Sequence, residues 1–173
     1  EVVRLAKTKW NFLNFQPGLV GGHCLPVDPF YLSFIANKKK FKTITALAGR
    51  KTNDKMQFFV LEKFKNFIKE KKIINKKCKI LIVGLSYKYG VADMRNSLNL
   101  KIYNKIKKKF GNTFYYDPFI NINNSINSFN ENIIKSFDVV LFLSKGTKFK
   151  KLYNKIYLKK SECILDPFYY YTK

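Results

Sequence analysis

Acidic residues are scarce in this sequence: 11 Asp and Glu face 34 Lys and Arg, a formal net charge of +23 at pH 7. Long apolar runs are missing. None approaches the ~18 residues that a membrane-spanning helix requires, and no signal-peptide pattern is present, so no membrane partner is expected. The three cysteines, Cys24, Cys78 and Cys163, are odd in number and lack Cys-x-x-Cys spacing, which argues against a disulfide framework and against a metal site. A reducing, cytoplasmic compartment follows as the expectation. There is no Gly-x-Gly-x-x-Gly, and hence no fingerprint of the turn that cradles a dinucleotide pyrophosphate. Zinc-finger, RRM and KH patterns are also lacking, as is any repeat of solenoid period. The initiating Met is absent, and residues 1–9 read as the last turns of an amphipathic helix, so an upstream segment is expected.

The positive charge is nearly all lysine, in clusters such as Lys38-Lys39-Lys40, Lys71-Lys72 and Lys107-Lys108-Lys109. Taken at face value it points to a polyanion, and a basic nucleic-acid-binding domain is one reading. The lysines travel with abundant Asn, Ile, Phe and Tyr, a bias that base composition of the coding DNA also produces, and solvated helix faces are the simpler reading. No specific nucleic-acid partner is expected.

With 173 residues, 46% of them hydrophobic, the chain has enough apolar surface for a real core in one domain or two small ones. Pro26 to about Lys38 reads as a short helix with Tyr31, Leu32, Phe34, Ile35 and Ala36 as its apolar face. From about Thr43 to Lys71 apolar residues recur at three- and four-residue spacing without a Pro, which predicts a long helix. The period then changes. Cys78 to Leu85 is a short β-branched run ending near Gly84, a buried parallel strand by length and composition. A helix over about 97–110, strands at 113–116 and 138–143, short helices near 133–137 and 149–157 and a last strand at 162–165 follow. Strands alternating with helices imply βαβ units and a parallel sheet. The fold class is therefore α/β: a helical central segment (1–74) with a Rossmann-like parallel-sheet domain (75–173).

The chemistry-bearing stretch is Pro17-Gly18-Leu19-Val20-Gly21-Gly22-His23-Cys24-Leu25-Pro26-Val27-Asp28-Pro29-Phe30-Tyr31-Leu32. It offers a thiol on a glycine-rich loop just ahead of a helix start, where unpaired N–H groups favour a thiolate and a developing oxyanion. If Pro26 is the first helical position, Asp28 sits one turn on and shares a cavity with Cys24. Outside its motif Cys24 would read as an inert buried cysteine. Cys78 and Cys163, inside strand patterns, read as core. A second cluster follows the first strand, in the loop 86–97, at the edge where doubly wound sheets bind ligands. It holds Lys88 and Arg95 for a phosphate and Asp93 to orient them, with a loop-stabilising Asp93–Arg95 ion pair as the alternative.

The cysteine stretch resembles the catalytic loop of the nucleotide-sugar 6-dehydrogenases of the UDP-glucose/GDP-mannose dehydrogenase family. The His before the Cys is similar to the branch acting on UDP-N-acetylhexosamines, such as UDP-N-acetylmannosamine and UDP-N-acetylgalactosamine. Gly84-Leu85-x-Tyr87-Lys88 and Asp93-x-Arg95-Asn96-Ser97 resemble the family's UDP-sugar-binding signature, and Ala48-Gly49-Arg50-x-x-Asn53-Asp54-x-Met56 its central helix. Departures are Leu19 in the second Pro slot of the loop, a polar Leu143-Ser144-Lys145-Gly146-Thr147, and Pro167-Phe168-Tyr169-Tyr170-Tyr171 after Asp166, where the family has a basic residue. Aromatics there are available to stack on a uracil.

The resemblance implies oxidation of a sugar C6 alcohol to a carboxylate with two NAD, the NAD domain and the family's catalytic Lys and Asn belonging to an upstream region. Cys24 would be the nucleophile, passing through a thiohemiacetal and a thioester, and Asp28 would orient or deprotonate water. Gly21 and Gly22 would let the sugar approach, His23 would face the substrate or pack in the loop, and Lys88 and Arg95 would contact the nucleotide-sugar. Asp93 would shape the loop. Arg50, Asn53 and Asp54 would lie in the active site or at a homodimer interface along the central helix, or simply face solvent. Without an NAD domain, the chain would be a nucleotide-sugar-binding or dimerising fragment.

Overall fold

A computed structural model describes residues 1–13, 15–73, 77–121, 123 and 125–171. The boundary expected between residues 74 and 75 falls outside the described residues, as does part of the polar stretch 121–132. The elements run α1 (Val2–Ala6), α2 (Asp28–Lys38), α3 (Ile44–Glu70), β1 (Ile80–Val83), α4 (Leu98–Lys109), β2 (Thr113–Tyr116), α5 (Glu131–Lys135), β3 (Val139–Phe142), α6 (Thr147–Lys160) and β4 (Ile164–Leu165), the last preceded by a 3₁₀ turn over Ser161–Cys163.

The strands form one parallel sheet in the order β2-β1-β3-β4, with Ile80 opposite Thr113 on one side and Val139 on the other. Both central strands are buried along their whole length, which is why they read as unbroken apolar runs rather than alternating ones. Alternate side chains still part company. Ile80, Ile82, Val139 and Leu141 enter one core with Val60 and Phe64 of α3 and Ile102, Tyr103 and Ile106 of α4. Leu81, Val83, Val140 and Phe142 enter the other with Ile134 of α5 and Phe149, Leu152, Tyr153 and Ile156 of α6. Each fully buried Ile, Leu or Val of these strands contributes about 1.5–3 kcal/mol of hydrophobic stabilisation.

The 27-residue α3 matters most for the site, because its C-terminal half packs on the sheet while its N-terminal half carries Arg50, Asn53 and Asp54. Gly49 interrupts neither its helix nor its packing; a Cβ there would meet nothing within 4 Å. Two caps fix the helices around the sheet. Ser97 Oγ accepts from Leu100 N–H while donating to Leu85 O, locking α4 to the end of β1, and Asn130 Oδ1 accepts from Ile133 N–H at the start of α5.

Two expectations are corrected. Helix α2 begins at Asp28, not at Pro26, with Pro29 in its first turn, so Cys24 lies four residues ahead of it. Nor is the apolar face of α2 buried: Tyr31, Leu32, Phe34 and Ile35 are all more than half exposed, and Ser33 is its only buried residue. Among the described residues no helix is long and apolar enough to cross a membrane, and no cluster of His, Cys, Asp and Glu is arranged to hold a metal.

Candidate functional site

The cysteine loop is held to the rest of the molecule at three places. At its start, Gln16 Oε1 accepts from Lys145 Nζ, on the turn after β3, at 2.9 Å. In its middle, the Asn53 side chain of α3 brackets one residue: its Oδ1 accepts from Val20 N–H at 3.0 Å and its Nδ2 donates to Val20 O at 2.8 Å. Two residues on, Gly22 N–H donates to Arg95 O and Asn96 Nδ2 donates to Gly22 O, both at 2.9 Å. A primary amide offers a donor and an acceptor side by side, so Asn53 acts here as a substitute for a neighbouring strand.

The glycines make this docking close. A Cβ on Gly21 would come within 2.8 Å of Tyr87 Cβ and 2.9 Å of the Asn96 carbonyl oxygen; one on Gly22, whose φ is +93°, would come within 2.8 Å of the Tyr87 ring. What Gly21 and Gly22 touch is therefore the loop of the sheet domain. Beyond them Cys24 O accepts from both Val27 and Asp28 N–H, forming the turn that leads into α2. His23, Cys24 and Asp28 are all exposed. Asp28, first residue of α2, is also well placed to complement the positive end of that helix.

On the facing loop, Arg95 grips Asp93. Its Nε and Nη2 reach both carboxylate oxygens, and the Asp93 carboxylate also accepts from Arg95 N–H. Hydrogen bonding from Arg95 drives the Asp93 carboxyl down to about 2, with His23 near enough to add to the effect. The Arg95 guanidinium is held in its charged form first by Asp93, and Tyr87 and Cys24 lie close enough to contribute. The ion pair therefore forms, and the Arg95 side chain remains 65% exposed. Lys88 is exposed on the same loop.

The first turn after β1 is sealed from beneath. Asp117, fully buried after β2, accepts from Leu85 N–H, Ser86 N–H and Ser86 Oγ on one oxygen and from Phe119 N–H on the other. Those N–H groups, just past the end of β1, are thereby taken up by a protein acceptor. The described residues offer no Gly-x-Gly-x-x-Gly turn that would fit the NAD pyrophosphate. Nor are the aromatics after Asp166 free to stack on a base: Phe168 packs against Phe59, Tyr170 crowds Gly18, and Tyr171 is buried with its hydroxyl between Ser144 O and Gly146 N–H. Only Tyr169 stays exposed.

The sequence carried Tyr87 and Asn96 only as motif positions without a role, and gave no sign of Asn99, whose Nδ2 ties Ser86 O to Ser144 Oγ. Asn96 had a local signal, an Asn before an N-cap Ser, and it does adopt left-handed φ of +51°.

The family's UDP-binding domain model matches residues 81–173, more than half of the chain, and its central-domain model matches residues 1–55. The chain belongs to the UDP-glucose/GDP-mannose dehydrogenase family. Among its relatives, the UDP-N-acetyl-D-glucosamine 6-dehydrogenase of Pseudomonas aeruginosa is 32% identical over 128 residues, covering 74% of this chain and 30% of that one. The UDP-N-acetyl-D-mannosamine dehydrogenase of Methanococcus vannielii is 33% identical over 142 residues, covering 81% and 31%. A solved structure of the UDP-N-acetyl-mannosamine dehydrogenase Cap5O from Staphylococcus aureus superposes with a TM-score of 0.75 at 27% identity, covering 99% of this chain and 40% of that one. The chain thus spans about a third of the length of the curated relatives it matches.

Proposed function

We propose that this chain is the central and UDP-sugar-binding part of an NAD-dependent UDP-N-acetylhexosamine 6-dehydrogenase that supplies uronic-acid precursors for surface polysaccharide in the cytoplasm. The observation that carries the reading is the docking of the cysteine loop on the 86–97 loop: Gly22 is hydrogen-bonded to Arg95 and Asn96, which brings the stretch with Cys24 against the loop with Lys88 and Arg95. Division into a segment 1–74 and a UDP-sugar domain 75–173 belongs to the same reading.

In this scheme Cys24 Sγ, as thiolate, adds to the carbonyl carbon of the aldehyde-level sugar; the C–S bond forms and the carbonyl oxygen takes up a proton, giving a thiohemiacetal. Arg95, still 65% exposed on the facing loop, is the cation available to the developing oxyanion. Removal of a hydride from that adduct is a step these residues do not supply. Once a thioester exists, water positioned by Asp28 attacks it, the C–S bond breaks, and the carboxylate leaves with Cys24 restored. The exposed apolar residues of α2, with Ile44 and Phe58 of α3, supply the surface for a homodimer along the central helix.

Calorimetric titration with UDP-N-acetylmannosamine, UDP-N-acetylgalactosamine, UDP-N-acetylglucosamine and UDP-glucose tests the reading. One UDP-N-acetylhexosamine binds in preference to UDP-glucose, and Lys88→Ala weakens it. Equal binding of all four, or none by the folded chain, contradicts it.

A further inference from the structure

The stretch after β4, Asp166-Pro167-Phe168-Tyr169-Tyr170-Tyr171, is unusually aromatic and firmly seated. Buried Asp166 closes it into a turn: its carbonyl accepts from Tyr169 N–H at 3.2 Å and its Oδ2 from Tyr171 N–H at 2.8 Å. Tyr169 adopts a left-handed φ of +55° there, uncommon in a non-glycine residue, and its ring stays in solvent. Its neighbours turn inward. The Phe168 ring lies 5.4 Å from that of Tyr170 and 6.5 Å from that of Phe59 on α3, and the Tyr171 hydroxyl is fixed between Ser144 O and Gly146 N–H. The outer end of Tyr170 meets Gly18, at the entry of the cysteine loop. A Cβ on Gly18 would lie 2.5 Å from the Tyr170 hydroxyl oxygen and 3.7 Å from ring Cζ, and would meet nothing else within 4 Å beyond the adjoining residues. Gly18 is not in the left-handed region, so that oxygen is the obstacle to a side chain there. Burial pushes the Tyr170 phenol up to about 12, so the contact is one of shape rather than charge.

We propose that Tyr170 is a positioning residue for the cysteine loop: the aromatic segment holds its ring against Gly18 and so sets where the loop enters its contact with the 86–97 loop. The same segment reaches the loop by a second route, since Tyr171 fixes Ser144 and Gly146, and Lys145 between them donates to Gln16 Oε1 at 2.9 Å. Leu19, next to Gly18, packs on the same core as Phe168. Gln16, Gly18 and Leu19 thus hold the first half of the loop, as Asn53, Arg95 and Asn96 hold the second. This role deepens the reading above, in which the loop presents Cys24; it is tested without a sugar nucleotide, so either can fail alone.

Gly18→Ala puts a methyl carbon 2.5 Å from the Tyr170 hydroxyl oxygen, so loop or ring must give way. Hydrogen exchange of the Val20 and Gly22 amides, bonded to Asn53 Oδ1 and Arg95 O, should quicken about tenfold in the folded chain, and the rate at which iodoacetamide alkylates Cys24 should change with it. The Ile80 amide, bonded to Asn112 O beside the sheet, reports any general loss of stability and should change far less. Tyr170→Phe removes only the obstructing oxygen. Combined with Gly18→Ala it leaves the new methyl 3.7 Å from ring Cζ, an ordinary van der Waals contact, so the double variant should return both amides to within about twofold of the parent. Two residues that pack independently would give the opposite, losses that add. Exchange in the double variant as fast as in Gly18→Ala, unaltered exchange in Gly18→Ala, or an equal rise at Ile80 overturns the proposal. Should Gly18→Ala not fold, a folded double variant supports it and an unfolded one overturns it.

Discussion

Replacing Asn96 separates two contributions that the structure joins in one residue. Its Nδ2 donates to the carbonyl of buried Gly22 at 2.9 Å, and its backbone sits at φ +51°, where a β-carbon is poorly tolerated in most residues but accepted in Asn. In Asn96→Gly the hydrogen bond is lost and the backbone is eased, so the expected cost is that of leaving the Gly22 carbonyl unpaired, about 1–3 kcal/mol, reduced by whatever water reaches it. Asn96→Ala loses the same bond and adds a left-handed alanine, about 1–2 kcal/mol more. Against a domain stability of about 5–15 kcal/mol, the alanine variant should show a clear fall in the urea midpoint, with glycine between it and the parent. Because the bond holds the cysteine loop, the rate at which iodoacetamide alkylates Cys24 should change in both variants by a similar factor. If glycine proves as destabilising as alanine, the strain argument fails; if neither variant differs from the parent by more than about 0.5 kcal/mol, the docking of Gly22 on Asn96 is not a feature of the folded chain.

Asp117→Ala leaves three backbone N–H groups, those of Leu85, Ser86 and Phe119, and the Ser86 hydroxyl without their acceptor, and should cost roughly 3–5 kcal/mol by denaturant unfolding. The Asp93 carboxyl should titrate near 2 by NMR. Its depressed value stabilises the folded state above the ordinary carboxylate range, and that contribution is lost as pH falls from about 4 toward 2, so Asp93→Asn should flatten the acid limb of the stability curve. Cys24 is exposed, whereas Cys78 and Cys163 are buried, with burial pushing Cys163 up to about 11, so a thiol reagent at pH 8 should label one cysteine rapidly and the other two only on unfolding. Gly22→Ala should destabilise more than Asn96→Gly, since φ of +93° and the Tyr87 ring oppose the added methyl together.

Much of this was legible from the residues because the local signals agreed with the fold. Strands β1 and β3 announced themselves as unbroken apolar runs between polar turns, and α3 by a periodic face 27 residues long without a proline. Element ends were less so. The β1 run of Cys78–Leu85 pairs only over Ile80–Val83, because partner strands set where a ladder stops. Helix α2 started two residues late because the Cys24 carbonyl takes the Val27 and Asp28 amides into a turn first, a choice Pro26 does not signal. Its apolar residues form a stripe, yet Tyr31, Leu32, Phe34 and Ile35 stay more than half exposed. At the site, the motifs located Cys24, Lys88 and Arg95, and geometry added what pattern cannot carry: which loop faces which. The contact between Gly22 and Asn96 spans 74 positions in sequence, and nothing in either neighbourhood names the other.

The central claim is that Cys24 and the 86–97 loop serve one bound nucleotide-sugar. Its most direct test is the rate of Cys24 alkylation by iodoacetamide, read by peptide mass spectrometry, as a UDP-N-acetylhexosamine is added to the folded chain. The account predicts saturable protection of Cys24 by the sugar nucleotide, much weaker protection by UDP alone, and loss of the effect in Lys88→Ala. An unchanged alkylation rate, at concentrations where calorimetry shows the sugar nucleotide bound, would separate Cys24 from the ligand and contradict the account.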